Sequence, residues 1–409
     1  MTDTTSPAAR TSVRHLLTGR FGWFFAGRTV DLAGSSMTTV ALALAVLRAS
    51  GRPGDLGIVL TANMVPTLVL LLVGGAVADR VSRRVLLIAA NTASAATMGA
   101  MGTTLITGHY SLVLISGLSL VNGTVSAFTS PALRGIVPEL VERQDLQRAN
   151  ALLSSARNTV RIVAPTVASA VVATAGGGWA LTVDALSYAL AALAFTRIPE
   201  GSRATAAKQA LWRDLVEGWS VFRSMRWVVL MTVSFALINA FNVGPWNVLG
   251  PMVVSGHSGA LGWGTVLSVR AVGLLAMSAL AVRIVLRRPL RAGRVWGTLA
   301  ALPLLAIGLS GQAWVVAVAA FIGGLGFTVA GLTWETALQS AVPAASLSRV
   351  AAYDDLLSYV AIPLSQVAVG PLAQAYGAGP VSIACGVAYV AASLFPLASR
   401  ELRNVGSEV

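Results

Sequence analysis

The sequence predicts an all-α integral membrane protein in which twelve transmembrane helices form two bundles of six. The first observation is composition: of 409 residues, 55% are hydrophobic and only 11% are charged, whereas soluble globular proteins carry about 25% charged residues. The second is a series of apolar stretches of about 20 residues, the length that crosses a bilayer. The third is a polar break over 197–226, at the middle of the chain. These observations exclude a soluble enzyme and a disordered chain.

Twelve apolar stretches define the predicted spans. The first is too long for the core of a signal peptide and lacks a clean small-residue cleavage site, so we predict that it is retained as a membrane helix. Glycine, alanine and serine are frequent throughout, which suits close helix packing in lipid. The predicted spans are 21–47, 57–78, 85–106, 111–136, 150–175, 179–196, 227–254, 261–286, 293–310, 313–341, 352–376 and 380–399.

The basic residues predict the orientation of the chain. The net charge is +13, and most arginines lie near the termini or in the connections after even-numbered spans. The opposite connections carry only Arg48 and Arg52. Because basic loops stay on the cytoplasmic side, we expect a multi-pass protein of the cell (inner) membrane with both termini in the cytoplasm. The charge is then a topology signal spread over short loops, and we expect no nucleic-acid partner.

The polar break divides the chain into two halves. We predict an N-terminal six-helix bundle over 1–196, a cytoplasmic linker with an amphipathic helix over 197–226, and a C-terminal six-helix bundle over 227–409. Residues 132–138 and 337–343 match at four of seven positions. Each segment ends the fourth span of its half, which favours an internal repeat.

The connection after the second span carries the sharpest motif, Gly-Ala-Val-Ala-Asp-Arg-Val-Ser-Arg-Arg at 75–84. A glycine allows a neighbouring helix to approach, and an aspartate beside it accepts hydrogen bonds at a helix N-terminus or pairs with an arginine. The pattern resembles the loop signature of the major facilitator superfamily, and with the twelve spans and the central linker the resemblance covers the whole chain. It implies the major facilitator fold and a latch that closes the cytoplasmic side, formed by Gly75, Asp79, Arg80, Arg83 and Arg84. A basic loop that only sets topology is the alternative.

Further segments resemble exporters of this superfamily. Residues 161–169, around Pro165, look like the exporter motif of the fifth span, with alanine in place of most of its glycines. A proline kink that serves packing alone is the alternative. Residues 149–153, 181–187 and 348–350 are similar to the drug/proton antiporter branch that includes enterobactin-type and macrolide exporters. This resemblance implies proton-coupled efflux.

Ionisable residues inside the spans are candidates for function because they are costly in lipid. Proton coupling needs a carboxylate that is neutral when it faces one side and charged when it faces the other. Asp31 in the first span is the first candidate and Glu335 in the tenth is the second. Arg28 lies one turn from Asp31, so a permanent ion pair is the alternative. Asp184, near the outer end of the sixth span, is expected to cap a helix or to pair there.

The charges inside the spans also predict the substrate class. Five arginines face three acids, which favours a neutral, zwitterionic or anionic amphipathic substrate held by Arg28, Arg161 and Arg270. Arg134 and Arg157 reaching to the cytoplasmic interface would remove part of that positive charge. Polar and aromatic residues expected to line the cavity are Asn122, Asn239, Asn242 and Trp246. Hydrogen bonding between helices is the alternative for each of them.

These features predict a secondary active transporter that exports drugs, antibiotics or secondary metabolites in exchange for protons, by alternating access. An importer of a nutrient or lipid-derived compound would share the fold, and the altered motif around Pro165 favours it. A non-transporting membrane enzyme or sensor needs a catalytic constellation, and we find no nucleophile–base pair or metal spacing, so we expect no enzymatic activity. The expected partners are substrate, protons and membrane lipids, without a metal or cofactor. We expect a monomer, and Cys385 is interpreted as a small buried hydrophobic residue.

Overall fold

The computed structural model describes residues 13–78, 82–142, 145–198, 211–281 and 288–399, and these residues form helices and short turns. A π-helical turn, Pro245–Leu249, joins α9 to α10, and a 3-10 turn, Thr298–Ala301, joins α11 to α12. A second 3-10 turn, Phe395–Ala398, follows the last helix. The helices are α1 Val13–Thr18, α2 Arg20–Ser50, α3 Pro53–Ala78, α4 Arg83–Ile106, α5 Leu112–Leu140, α6 Leu146–Thr174, α7 Gly177–Thr196, α8 Leu211–Ser224, α9 Arg226–Gly244, α10 Gly250–Ala281, α11 Pro289–Gly297, α12 Leu302–Leu309, α13 Ala313–Ala341, α14 Ala344–Tyr359, α15 Ala361–Tyr376 and α16 Ala378–Leu394.

Ten helical segments of the described chain are long and apolar enough to cross a membrane. One of them, Arg226–Ala281, has 56 residues, far more than the roughly 20 that one crossing needs. Gly259 divides it, because its φ of 67° turns the chain back into a second crossing. The helix α6 is long enough but carries Arg148, Arg157 and Arg161, which lower its hydropathy. The described helices therefore make twelve crossings, and the predicted fold class is confirmed.

Among the described residues, six glycines have positive φ, and all of them lie at turns of one end of the molecule. We call this end, where odd-numbered crossings meet the following even-numbered ones, the distal end. The opposite end, where α1 begins and the turn after α16 finishes, is the terminal end. The glycines are Gly51, Gly108, Gly176, Gly259, Gly311 and Gly377. Tight turns of this kind make the distal connections short.

Helices α2 to α7 pack together as one bundle, and helices α9 to α16 pack as the other. The main contacts between the bundles are α6 with α10 and α3 with α15. The hydroxyls of Thr166 on α6 and Ser268 on α10 are 2.8 Å apart. Between α3 and α15, the Thr61 hydroxyl donates to the Pro363 carbonyl at 3.2 Å. Thr61, Thr166 and Ser268 lie in the distal halves of their helices, and Pro363 lies near the middle of the crossing formed by α14 and α15.

The hydrophobic cores show where the bundles separate. One core cluster takes residues from the distal halves of both bundles, including Val40, Val172 and Val266. At the terminal end there are two clusters. One, around Phe24 and Leu153, belongs to the N-terminal bundle, and the other, around Met231 and Trp334, belongs to the C-terminal bundle. The molecule is thus joined at its distal end and divided at its terminal end.

Polar contacts also anchor the distal end of the N-terminal bundle. Arg48 donates to the Val172 carbonyl at 3.2 Å, which ties the end of α2 to the end of α6. Tyr110 donates to Asp55 Oδ2 at 3.1 Å. Burial and the neighbouring Asp55 carboxylate raise the pKa of Tyr110 to about 12, so its hydroxyl remains a donor at neutral pH.

The predicted amphipathic helix of the linker is α8, Leu211–Ser224, and residues 199–210 lie outside the described chain. Phe222 is buried, whereas Trp219 is half-exposed. Both rings pack against Tyr353 of α14, with ring centroids 6.0 and 5.4 Å away. The linker helix is thus fixed to the terminal end of the C-terminal bundle.

Candidate functional site

In the part of the chain that the structure describes, two clefts lie at the terminal end, one in each bundle. The C-terminal cleft, of about 230 Å³, is bordered by α9, α11, α13, α14 and α16. The N-terminal cleft has the same volume, lies between α2, α5 and α6, and is lined by Phe24, Arg28, Leu32, Leu133, Val137, Asn150, Leu153, Ser154 and Arg157. Both clefts lie where the bundles have separate cores, so a solute entering from the terminal end meets the polar residues of the spans there.

Asp31 and Arg28 form an ion pair at the wall of the N-terminal cleft. They lie one turn apart on α2, and Arg28 Nη1 donates to Asp31 Oδ2. Asp31 is only 4% exposed, whereas the Arg28 side chain is 21% exposed and lines the cleft. A buried charge needs its counterion, so a group that draws Arg28 away changes the charge that Asp31 can hold. The structure therefore contains the Arg28–Asp31 ion pair that is the alternative to proton coupling, and a role of Asp31 in coupling stays a prediction.

Two arginines of α6 extend this positive region. Arg157 lines the N-terminal cleft and lies within electrostatic range of Arg28 and of Arg161, one turn further along α6. Like charges at this spacing repel, and an anion between them relieves the repulsion. The side chain of Arg134 lies outside the part of the structure that is described. The N-terminal cleft is therefore suited to a carboxylate or phosphate group.

The π-helical turn after α9 brings two predicted binding residues together. The Arg270 guanidinium lies over the ring of Trp246 at 4.6 Å and near that of Phe327 at 5.8 Å. Trp246 is buried and packs on Trp263, with ring centroids 4.9 Å apart. Such π-helical turns are frequent at functional sites. The aromatic rings hold an arginine in the membrane interior by cation–π contact.

The C-terminal cleft contains acids that sequence analysis did not count. Asp354 is buried and accepts hydrogen bonds from Thr232 Oγ1 at 2.6 Å, Trp334 Nε1 at 3.1 Å and Ser358 Oγ at 3.4 Å. Asp355 also lines the cleft. Both were assigned to the start of the eleventh span, predicted to begin at residue 352. The observed helix α14 begins at Ala344, which places both acids inside it.

The interior of the described chain is therefore less positive than the count of five arginines against three acids suggests, because Asp354 and Asp355 belong to it. Arg294, at the start of the predicted span 293–310, is 2% exposed and adds one buried positive charge. It donates to the Ser393 carbonyl at 3.0 Å and to Ser234 Oγ at 3.0 Å, and so ties α11 to α16 and α9. For Asp354 and Asp355, the signal in the sequence is the pair Val342-Pro343. The residue before a proline disfavours helix, so α13 ends there and α14 begins at Ala344.

Of the remaining predicted site residues, three lie in the C-terminal bundle, namely Glu335, Asn239 and Asn242, and Asn122 lies in the N-terminal bundle. Glu335 and Asn239 line the C-terminal cleft, and Asn239 Nδ2 donates to the Ser358 carbonyl at 2.9 Å. Asn242 is half-buried one turn further along α9. Asn122 is buried, accepts from Asn63 Nδ2 at 3.3 Å and donates to Ser94 Oγ at 3.3 Å, which joins α5 to α3 and α4. A role of Asn122 in binding substrate stays a prediction.

The predicted latch is described only in part. Asp79 and Arg80 lie outside the described residues, and Gly75 lies in α3. Arg83 pairs with Glu139 Oε1 at 2.5 Å. Arg84 donates to the Thr196 carbonyl at 2.6 Å, at the end of α7. Both arginines thus bind the N-terminal bundle in this conformation.

No group of three or more histidine, cysteine, aspartate and glutamate side chains in the described chain could hold a metal ion. The two clefts are lined by arginine, carboxylate, amide and aromatic side chains, which bind solutes by charge, hydrogen bonds and stacking.

Comparisons with known proteins agree with this architecture. The family model described as "Transmembrane secretion effector" matches residues 11–408. The multidrug efflux pump Tap of Mycobacterium tuberculosis (strain ATCC 25618 / H37Rv) is 25% identical over 393 residues, covering 91% of each chain. Macrolide efflux protein A of Streptococcus pyogenes is 23% identical over 237 residues, or 57% of this chain and 58% of that one. The crystal structure of the nucleoside transporter NupG superposes with a TM-score of 0.75 at 12% identity, covering 93% of this chain and 98% of that one.

Proposed function

The chain belongs to the major facilitator superfamily, within its transmembrane secretion effector family, and from this we propose that it exports amphipathic small molecules, antibiotics among them, in exchange for protons. The names of its relatives, a multidrug efflux pump and a macrolide efflux protein, support export. The observation that carries proton exchange is the buried Asp31 beside Arg28 at the wall of the N-terminal cleft. The transporter works as a monomer in the cell membrane and needs no cofactor besides the proton gradient.

Alternating access follows from the division of the core. The bundles are joined distally and divided at the terminal end, and the excess of basic residues at the terminal end favours its location in the cytoplasm. The conformation is then the one that receives substrate from the cytoplasm. To release substrate outside, the α3–α15 and α6–α10 contacts must open while the terminal end closes. The latch of Gly75, Asp79, Arg80, Arg83 and Arg84 would hold the closed terminal end.

Exchange requires that substrate and proton do not occupy the site together. With Arg28 bound, Asp31 is held as a carboxylate. The acidic group of a zwitterionic substrate draws Arg28 away from Asp31, and the amine of the substrate takes the place of Arg28, so the proton held at this site leaves towards the cytoplasm. When the site faces outside, a proton taken up at Asp31 displaces the amine, the substrate leaves, and Arg28 can pair with Asp31 again. Glu335, in the C-terminal cleft, is the second candidate for this task.

The clefts favour the zwitterionic members of the expected substrate class. Arg28 and Arg157 line the N-terminal cleft, while the C-terminal one is lined by three acids, Glu335, Asp354 and Asp355, against one arginine, Arg294. A molecule with an acidic group and an amine at separate ends matches this pair of opposite charges, and the aromatic rings beside the clefts accommodate its apolar body.

Growth assays test the substrate class. A host without its own drug pumps, with and without the transporter, is exposed to matched cationic, anionic and zwitterionic members of one drug series. We expect the largest gain in resistance for the zwitterion, and loss of that gain in Asp31→Asn and with a protonophore. Resistance confined to the cationic member contradicts the proposed substrate class. Resistance that is equal in the wild type, in Asp31→Asn and with the protonophore contradicts proton exchange.

A further inference from the structure

Asp184 lies in the interior of the N-terminal bundle, where α7 packs on α2. Its side chain is 0% exposed. The Thr38 hydroxyl donates to Asp184 Oδ2, and the Ser187 hydroxyl donates to Oδ1 at 3.1 Å. A Cβ at Gly34 would lie 2.2 Å from Asp184 Oδ1, so the absence of a side chain at position 34 lets the carboxyl group reach the backbone of α2. The two helices form a closed polar pocket for one carboxyl group.

The charged and titratable groups around Asp184 come from α2 and α7. Asp31 acts on it from α2. Tyr188, one turn along α7, lies within electrostatic range of Asp184, Asp31 and Arg28 and within hydrogen-bonding range of Ser35. Where α4 packs on α7, Gly99 and Gly102 of α4 face Ala185 and Thr182. The third neighbour, α6, brings no charge that acts on Asp184 among the described residues.

The two carboxyl groups differ in their partners. Arg28 pairs with Asp31, whereas Asp184 has hydroxyl donors and, in the described chain, no cation of its own. A carboxylate buried without a cation costs several kcal/mol, and the neutral acid avoids this cost. Two interacting carboxyl groups that hold one proton between them are more stable than the same two groups when both are ionised. The geometry thus favours a proton on Asp184 and a charge on Asp31.

We propose that Asp184 is a second proton-binding residue that works in series with Asp31, a role that rests on the proton exchange proposed above. While Arg28 holds Asp31, Asp184 carries the proton. When substrate draws Arg28 away, the O–H bond at Asp184 breaks and an O–H bond forms at Asp31, so one proton passes from one carboxyl group to the other. Asp184 is left as a carboxylate stabilised by the Thr38 and Ser187 donors. The proton count and total charge of the pair do not change in this step.

Infrared difference spectroscopy of the full-length protein in liposomes at neutral pH tests this assignment without any substrate. We expect the carbonyl stretching band of a buried carboxylic acid that Asp184→Asn removes and Asp31→Asn leaves in place. Thr38→Val, which deletes one hydroxyl donor, shifts the band to higher wavenumber. The control Thr182→Val, two residues before Asp184 on α7, leaves it unchanged, because the Thr182 hydroxyl donates to the Gly178 carbonyl. A spectrum that Asp184→Asn and Thr38→Val do not alter overturns the proposal.

Arg28→Gln imitates the withdrawal of Arg28 and tests the transfer. In this background we expect the acid band to be removed by Asp31→Asn, because the proton has moved. A band that still depends on Asp184 alone overturns the serial role. Both spectra are independent of transport, so wild-type vesicles that show no proton-driven transport contradict the proposed function, whereas an unaltered band contradicts the assignment of Asp184.

Discussion

Gly57 of α3 lies against the backbone of Gln366 of α15, so closely that a Cβ at position 57 would be 2.0 Å from the Gln366 carbonyl oxygen. One turn along α3, Thr61 donates to the Pro363 carbonyl at 3.2 Å. Because α3 and α15 belong to different bundles, this contact closes the distal end. It must break whenever the transporter opens distally.

Gly57→Ala is expected to open the distal end, because its methyl group meets a backbone atom that cannot rotate away. The measurement is labelling of a cysteine at position 61, introduced as Thr61→Cys in a Cys385→Ala background, by a membrane-impermeant maleimide added outside cells. Labelling should rise several-fold in Gly57→Ala. The matched control is Gly117→Ala, where a Cβ meets nothing within 4 Å. Equal labelling in the two variants would show that the contact does not close the distal end.

Arg28→Gln is expected to destabilise the protein by about 3 kcal/mol, because it removes the cation that balances the one buried negative charge of the Asp31 and Asp184 pair. The double variant Arg28→Gln/Asp31→Asn removes both charges and should recover most of that free energy of unfolding. Thermal unfolding of the purified variants in detergent gives the comparison. A double variant no more stable than Arg28→Gln would mean that the pair is not a stable ion pair.

The hydrogen-bond donors of the Asp354 carboxyl group lead to a third prediction. Thr232→Val removes the 2.6 Å hydrogen bond to Asp354 and should lower the free energy of unfolding by about 1–2 kcal/mol, because a buried acceptor loses a partner. Thr333→Val is the control, since its hydroxyl bonds only to carbonyls of its own helix, at Val329 and Ala330. If Thr232→Val and Thr333→Val lower the free energy of unfolding equally, the hydrogen bond from Thr232 to Asp354 does not stabilise the C-terminal cleft.

Substitutions at Arg83 and Glu139 distinguish a latch role of Arg83 from a simple surface ion pair. Its bond to Glu139 is partly exposed and is worth less than about 1 kcal/mol. If Arg83 also latches the closed terminal end, Arg83→Gln should slow drug efflux several-fold, while Glu139→Gln, which breaks the same ion pair, should not. Efflux rates in cells with matched expression make the comparison. The same rate in both variants would reduce Arg83 to a topology signal.

The fold could be predicted from the sequence because the bilayer fixes the length of each apolar segment. Between the predicted spans 227–254 and 261–286, the structure has one residue with non-helical backbone angles, Gly259. The span 150–175 was found in spite of its arginines, because it lies between two clear turns. Hydropathy is sufficient for these features, since they depend on residues close together in the chain.

The partners of the buried charges could not be predicted in the same way. Thr232 and Asp354 are 122 positions apart, and Thr38 and Asp184 are 146 apart. Which face of a helix meets a neighbour depends on packing over such separations, and apolar spans carry little hydrophobic periodicity to indicate it. The Arg28–Asp31 ion pair, offered by the sequence as the alternative to proton coupling, could be anticipated because one turn of a single helix joins the two residues.

The most direct test of proton exchange is drug uptake into everted membrane vesicles, energised by an imposed pH gradient that is acidic inside. With a zwitterionic drug to which the transporter confers resistance, wild-type vesicles should accumulate drug and lose it when a protonophore is added. Asp31→Asn vesicles should exchange labelled for unlabelled drug but accumulate none. Accumulation by Asp31→Asn equal to that of the wild type, or wild-type accumulation indifferent to the protonophore, would contradict the account.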